Sequence, residues 1–147
     1  MKHKGFTIIE LIVIVVIIGI LTMLSIPAFR GLYTKGRLEQ TRNEVVAFYQ
    51  RANRYATTDG VNYLLEVNMI NDSLRCMKEG LVTVKDRMGM RPGLDLSSTV
   101  GDTVTFVIQA DGFVKGTVRN FSIYDNDTKD SLKFYISPLG VMEVNKK

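Results

Sequence analysis

Few side chains in these 147 residues can do chemistry, and their positions narrow the field further. The only histidine is His3, inside the basic stretch Lys2-His3-Lys4. A chain trimmed after Gly5 would hold no histidine. That removes histidine-based metal sites, Ser- or Cys-His catalysis and imidazole pH switching. The only cysteine is Cys76, so no intrachain disulfide can form. A free cysteine most often packs as a small core hydrophobe, and Cys76 is expected to be buried. There is no phosphate-binding glycine loop, nucleophile motif or paired-carboxylate site, so no catalytic residue is assigned and no enzyme activity is expected. Two acidic features remain: Glu10, at the front of a long apolar run, and Asp125, Asp127 and Asp130, close together near the carboxy terminus.

Glu10 is the sharper of the two. No charged residue occurs from Leu11 to Phe29, and only Thr22 and Ser25 interrupt the aliphatic and small side chains. As a helix this run would extend about 28 Å, close to the ~30 Å hydrocarbon core of a bilayer. Helix is the only reasonable conformation there, because lipid offers no partner to open backbone groups. Lys2 and Lys4 ahead of the run favour a cytoplasmic amino terminus and place the following domain outside. Arg30, Lys35 and Arg37 weaken that signal without reversing it. A cleaved secretory signal would need a shorter core and a better site than Ser25-Ile26-Pro27-Ala28. A plain signal anchor gives no reason for Glu10. A buried core helix could not be covered on all faces by so small a domain.

A carboxylate at a membrane helix needs a cation. Cleavage between Gly5 and Phe6 would supply one, the new α-amine of Phe6. Glu10 lies about one turn away along the helix. Pairing with the amine of a neighbouring, axially offset helix would set the stagger of packed helices.

Behind the run the pattern becomes amphipathic. Leu38, Thr41, Val45, Phe48 or Tyr49, Ala52 and Tyr55 or Ala56 recur at helical spacing, with Arg37, Glu39, Arg42, Glu44, Arg51 and Arg54 on the polar side. Arg51 and Glu44 are expected to be solvated neighbours. Gly31 and Gly36 predict a bend, and Thr57-Thr58-Asp59-Gly60 a helix stop. Strands follow. Val61 to Met69 alternates with period two, and Leu74–Met77 and Leu81–Lys85 are short strand candidates. Asp86 to Gly101, rich in Gly, Pro, Ser and Asp, reads as a long loop. Thr103–Gln109, Gly116–Tyr124, Ser131–Ser137 and Val141–Val144 are further strands, with hairpin signals at Ala110-Asp111-Gly112-Phe113 and Pro138-Leu139-Gly140. The expected fold is α+β: a long amino-terminal helix, membrane-spanning in its first half and amphipathic in its second, on an antiparallel sheet.

Lys4-Gly5-Phe6-Thr7-x-x-Glu10 followed at once by an apolar helix resembles the class III signal of type IV pilins and type II secretion pseudopilins. The order of the strands, with Phe-x-Ile-x-Ala-Asp-Gly at 106–112 and Leu-Lys-Phe-Tyr-Ile-Ser at 132–137, resembles the minor GspH/FimT class. The resemblance implies a leader at 1–5, an assembly helix at 6–30 and a head at 31–147, helical to about residue 56. It implies a prepilin peptidase that cleaves after Gly5 and methylates the Phe6 amine, and a Glu10 that directs assembly. Gly19 and Pro27 match positions that bracket a segment able to lose helicity in filaments; a mid-helix proline removes a donor and clashes with the preceding turn. The implied partners are other pilin or pseudopilin subunits, inner-membrane assembly proteins and the membrane itself. The implied location is the bacterial inner membrane, single-pass with a periplasmic head, and then the filament. No cofactor is expected.

Two further properties of such proteins can be read against the residues present. Some pseudopilins hold calcium in a late loop. An EF-hand starting at Asp125 would need glycine sixth and glutamate twelfth, where Asp130 and Ile136 stand. A turn rich in Asp and Asn accounts for the loop, and no metal is assigned. Some minor pilins bind DNA through a basic carboxy-terminal stretch, which needs several Lys or Arg on the phosphates. Here Val141, Met142 and Glu143 occupy that stretch, and Arg75, Lys78, Lys85, Arg87 and Arg91 are the other possible patch. The net charge of +4 is halved by loss of Lys2 and Lys4, so it demands no polyanionic partner. A structural subunit of a pilus or secretion pseudopilus is the favoured function, and a DNA-binding minor pilin of an uptake system the alternative.

Overall fold

A single helix, α1, runs from Ile8 to Asp59 in the computed structural model, which describes residues 7–81, 83–116 and 119–146, the side chains of 24–35 excepted. Gly31 and Gly36 both lie within α1, so neither ends it; a glycine costs only about 1 kcal/mol in a helix interior. The chain divides after Gly36 into two units.

In the first unit, the side chains from Ile8 to Met23 are exposed at every helical position, from 45% at Ile14 to 83% at Ile8. Apolar residues all round leave no polar face for water. The one hydroxyl, on Thr22, donates to the Ile18 carbonyl at 2.7 Å and so closes within the helix. Among the described residues no helix is long and apolar enough to cross a membrane. The expected span continues to Phe29, past the last described side chain before residue 36, Met23.

The second unit begins at Arg37. Its helical part buries Leu38, Thr41, Val45, Phe48, Tyr49, Ala52 and Ala56, the stripe that the spacing predicts. Phe48 and Tyr49 are both inside, because the apolar face is wider than one residue per turn. The helix stops as expected: Gly60 adopts φ +64° and the Val61 N–H donates to the Ala56 carbonyl at 3.3 Å, a Schellman closure.

Among the described residues nine strands follow: β1 Tyr63–Asn68, β2 Ser73–Lys78, β3 Val84–Gly89, β4 Leu94–Ser97, β5 Thr103–Ile108, β6 Val114–Lys115, β7 Arg119–Asp125, β8 Ser131–Ile136 and β9 Met142–Lys146. They form two sheets, β3-β2-β1-β5-β6 and β4-β7-β8-β9, with every neighbour antiparallel. Alternation puts Tyr63, Leu65, Val67, Val104, Phe106 and Ile108 of the first sheet inside, and Phe121, Ile123, Leu132, Phe134 and Ile136 of the second. Phe106 meets Phe121 edge-on, and Phe121 stacks on Phe134 with centroids 4.9 Å apart, so one core serves both sheets. Cys76 is buried in it, as expected, and burial pushes its thiol up to about 11.

Two expectations need correction. The expected loop from Asp86 to Gly101 contains most of β3 and all of β4. β3 is an edge strand whose Lys85-Asp86-Arg87 carries no apolar alternation; pairing with β2 orders it, across a register shift at Cys76/Met77. In β4, Leu94 and Leu96 are buried and Asp95 and Ser97 exposed, a period too short to stand out beside Pro92-Gly93. The strand expected at Leu81–Lys85 accordingly begins only at Val84. The second correction concerns Glu44 and Arg51. They do not serve each other: Arg51 pairs with Asp86 at 2.9 Å and Glu44 with Arg91 at 2.5 Å, which ties the helix to β3 and to the turn after it.

Candidate functional site

The residues singled out at the amino terminus meet different fates. Gly5 and Phe6 lie outside the described residues, as does the Pro27 side chain. Thr7 and Glu10 form a reciprocal cap on α1. The Glu10 carboxylate oxygen Oε2 accepts the Thr7 N–H at 2.8 Å and the Thr7 hydroxyl at 2.9 Å, and the Glu10 N–H donates to Thr7 Oγ1 at 3.4 Å. This is a capping box, in which an N-cap Thr and the acid three residues on satisfy each other's open donors. Thr-x-x-Glu is itself the sequence signature of such a cap, a signal that the reading of Glu10 as a partner for the Phe6 amine passed over. The cap holds the carboxylate at the start of the helix, where the macrodipole favours a negative charge. Ile9, Glu10, Val13 and Ile14 line a shallow apolar groove of about 320 Å³ at this end. At Gly19 a Cβ would meet nothing, so no packing within the described chain requires a glycine there.

The acidic cluster of the head is brought together by a residue that sequence reading left on the solvated face. Arg37 Nη2 donates to Asp125 Oδ1 at 2.6 Å and to Asp127 Oδ2 at 2.8 Å, and Nη1 donates to the Pro92 carbonyl at 3.2 Å. Asp125 is fully buried at the end of β7. Its Oδ1 also accepts the N–H groups of Asp127 and Thr128 at 2.9 and 3.2 Å. Burial works to raise the Asp125 carboxyl; the Arg37 guanidinium and those two N–H groups outweigh it and hold the group below the usual carboxylate range. The pair is not a bidentate fork, since Arg37 Nε and Asp125 Oδ2 are buried without a hydrogen-bond partner. Asp130 pairs with Lys146 at 3.2 Å. Each acid of the loop thus has a cation from the chain itself. Among the described residues no cluster of His, Cys, Asp or Glu is arranged to hold a metal. Nothing local marks Arg37 for this role, because its partners lie 88 and 90 positions away.

The far end of the head helix is tied to both sheets. Tyr49 donates its hydroxyl to the Gly140 carbonyl at 3.0 Å, and Asn53 its amide to the Gly112 carbonyl at 3.0 Å. The two glycines, with φ +74° and +86°, sit at the tips of the β8–β9 and β5–β6 turns. A Cβ on Gly140 would run into the Gly112 carbonyl oxygen. Beside these turns Tyr49, Asn53, Arg54 and Gly140 line a groove of about 370 Å³.

The possible DNA-binding patch is partly spent on the fold. Arg91 is paired with Glu44 and Lys85 lies over the Tyr55 ring. Arg75 and Arg87 stand directly opposite each other across β2 and β3. In the closing segment Val141 and Glu143 are exposed.

Comparison with known proteins bears on the same two regions. Residues 1–26 match the prokaryotic N-terminal methylation motif. A fimbrial protein of Moraxella nonliquefaciens is 27% identical over 120 residues, 82% of this chain and 67% of that protein. The type IV major alpha-pilin of Moraxella bovis is 23% identical over 118 residues, 80% of this chain and 70% of the relative. The type IV minor pilin FimU of Pseudomonas aeruginosa shares the fold with a TM-score of 0.61 at 18% identity, over 76% of this chain and 90% of that one. The minor pseudopilin EpsH of the Vibrio cholerae type 2 secretion system does so with a TM-score of 0.52 at 16% identity, over 71% and 94%. The amino-terminal motif, the pilin relatives and the helix-plus-antiparallel-sheet fold agree in making the chain similar to type IV pilins and pseudopilins.

Proposed function

We propose that the chain is a structural, non-enzymatic subunit of a type IV pilus or a type II secretion pseudopilus, of the minor kind. The observation that carries this reading is Glu10: a carboxylate held by Thr7 at the mouth of a helix whose apolar side chains from Ile8 to Met23 are exposed on every side. A helix of that kind needs either lipid or other helices around it. In this reading prepilin peptidase removes residues 1–5 and methylates the Phe6 amine. Residues 6–30 anchor the subunit in the inner membrane with residues 31–147 in the periplasm, and the subunit then passes into the filament. Glu10 exchanges its Thr7 partner for the Phe6 amine of a neighbour. Gly19 and Pro27 bound a segment in which helicity is easily lost, and the open space at Gly19 suits close approach of another helix. The names of the relatives support the assignment, with the two structural neighbours, a minor pilin and a minor pseudopilin, supporting the minor role.

Mass spectrometry of the mature amino terminus is the test. A peptide starting at monomethylated Phe6 is expected; a terminus at Met1, or one near Ala28, would refute the reading. DNA uptake is the less favoured reading, because Arg91 and Lys85 are engaged within the head and Glu143 opposes phosphate. Tight, steeply salt-dependent binding of duplex DNA by the full chain in detergent would reverse that order.

A further inference from the structure

The solvent face of the first sheet carries a pair of cations that the fold does not neutralise. Arg75 of β2 and Arg87 of β3 stand directly opposite each other, and neither forms an ion pair among the described residues. Like charges in that position repel and weaken the pairing of their strands. Glu66 of β1 is opposite Arg75 on its other side, again without an ion pair among the described residues. Ser73 lies two positions before Arg75, on the same face of β2. Ser73 is buried, and its hydroxyl and the Arg75 Nε have no hydrogen-bond partner among the described residues. Buried polar groups are seldom left so. A Cβ on Gly89, the residue opposite Ser73, would meet nothing. Two guanidinium groups, an unpartnered hydroxyl and open space thus occupy adjacent positions of β2 and β3. Directly opposite side chains have Cβ atoms about 5 Å apart, close enough for both guanidinium groups to donate to one phosphate.

About 7 Å along β2 from Arg75, the same face is apolar. Val107, Leu64, Met77 and Val84 form one row across β5, β1, β2 and β3. The register shift at Cys76/Met77 completes the row. It brings Val84 rather than Lys85 opposite Met77, and Lys85 turns instead to the Tyr55 ring, 5.5 Å from its centroid. Val84 is exposed, as is Leu81 in the β2–β3 turn. Lys115 of β6, opposite Val107, adds a cation that forms no ion pair among the described residues. Glu79, beyond the far side of the row, accepts the Asn62 amide at 2.7 Å.

A ligand suited to this face has an anionic oxygen group with an apolar body beside it. Inorganic phosphate and duplex DNA offer the phosphate and leave the apolar row idle. A phospholipid offers both, and an anchor in the inner membrane would keep a bilayer within reach of the head. We infer that the solvent face of β1, β2 and β3 binds an anionic phospholipid, with the headgroup phosphate between Arg75 and Arg87 and the glycerol and first acyl carbons along Met77, Leu64 and Val84. The site stands on the geometry of the head, and the filament-subunit reading supplies only the source of lipid.

Thermal unfolding of the full chain in a non-ionic detergent tests it, followed by a thiol dye that reaches the buried Cys76 only when the head opens. The probes are dihexanoylphosphatidylglycerol, inorganic phosphate and a DNA duplex at equal phosphate concentration. The short-chain lipid should raise the melting midpoint by about 4–8 °C once it is about fivefold above its Kd. The other two probes should raise it by less than half as much. Arg87→Gln should erase the lipid shift while leaving the midpoint without lipid equal or higher, since it removes the repulsion opposite Arg75. Arg87 is exposed on an edge strand, so the variant keeps the core intact. No shift with the lipid, a lipid shift that survives Arg87→Gln, or an equal shift with inorganic phosphate or the duplex would each overturn the inference. The filament-subunit reading fails separately, on a mature terminus other than Phe6, and that result would leave the lipid shift standing.

Discussion

Two carboxylates, Glu10 and Asp125, illustrate the difference between the regions that hold them. Both cap turns and both accept backbone N–H groups. Glu10 finds its partner three residues away, is fully exposed, and sits among apolar side chains that nothing in the described chain covers. Asp125 is buried at the end of β7 and finds its cation 88 positions away. The first carboxylate is satisfied by local geometry and can be released without unfolding anything. The second cannot leave without exposing a buried charge. A group intended for exchange between partners belongs in the first setting, and a fastener in the second.

The contrast can be broken most directly at Glu10. Glu10→Ala should abolish incorporation into sheared filaments while the chain still inserts in the membrane and the head melts unchanged. Assembly at the wild-type level would show that this carboxylate is a cap and nothing more. At the other pole, Asp125→Ala strands the Arg37 guanidinium, and should destabilise the head by about 3–5 kcal/mol in denaturant titration of the full chain in detergent. Arg37→Met with Asp125→Leu should recover much of that loss, since an apolar pair need not be desolvated.

Acid sharpens the same point. The folded-state value of Asp125 lies below its unfolded value. Its contribution is therefore complete above the unfolded carboxylate value near 3.9, and is lost as pH falls through the lowered folded value. Stability measured against pH should drop in that acidic window, and drop less in the Arg37→Met, Asp125→Leu double variant. A smaller loss, about 1–3 kcal/mol, is expected from Gly140→Ala, from the left-handed backbone and the Gly112 carbonyl in its way. The smallest effect is chemical. With its thiol pushed up to about 11 and fully buried, Cys76 should resist alkylation at neutral pH until the head unfolds.

Periodicity carried most of the fold. The buried stripe from Leu38 to Ala56 and the alternating strands β1, β5, β7 and β8 could be written down from side-chain spacing, because an apolar face must point at a core. The turn signals at Gly60, Gly112 and Gly140 held for the same local reason: each glycine takes a positive φ that other residues resist. β3 and β4 were missed where local signals ran out. An edge strand of charged residues and a four-residue strand after Pro-Gly are ordered by their neighbours rather than by their own pattern.

The candidate site divides along the same line. Thr7 and Glu10 needed only a spacing of three, and that spacing was on the page. Arg37 needed the whole head to be folded first. By itself the sequence determined the amino-terminal motif, the all-apolar helix behind it and the helix-then-strands order, since each depends on residues within a few positions of one another. Only the tertiary structure decided that the strands sort into two sheets over one core and that Arg37 meets Asp125 and Asp127. Those outcomes depend on which distant segments meet, and the free energy that selects them comes from burial shared across the whole head.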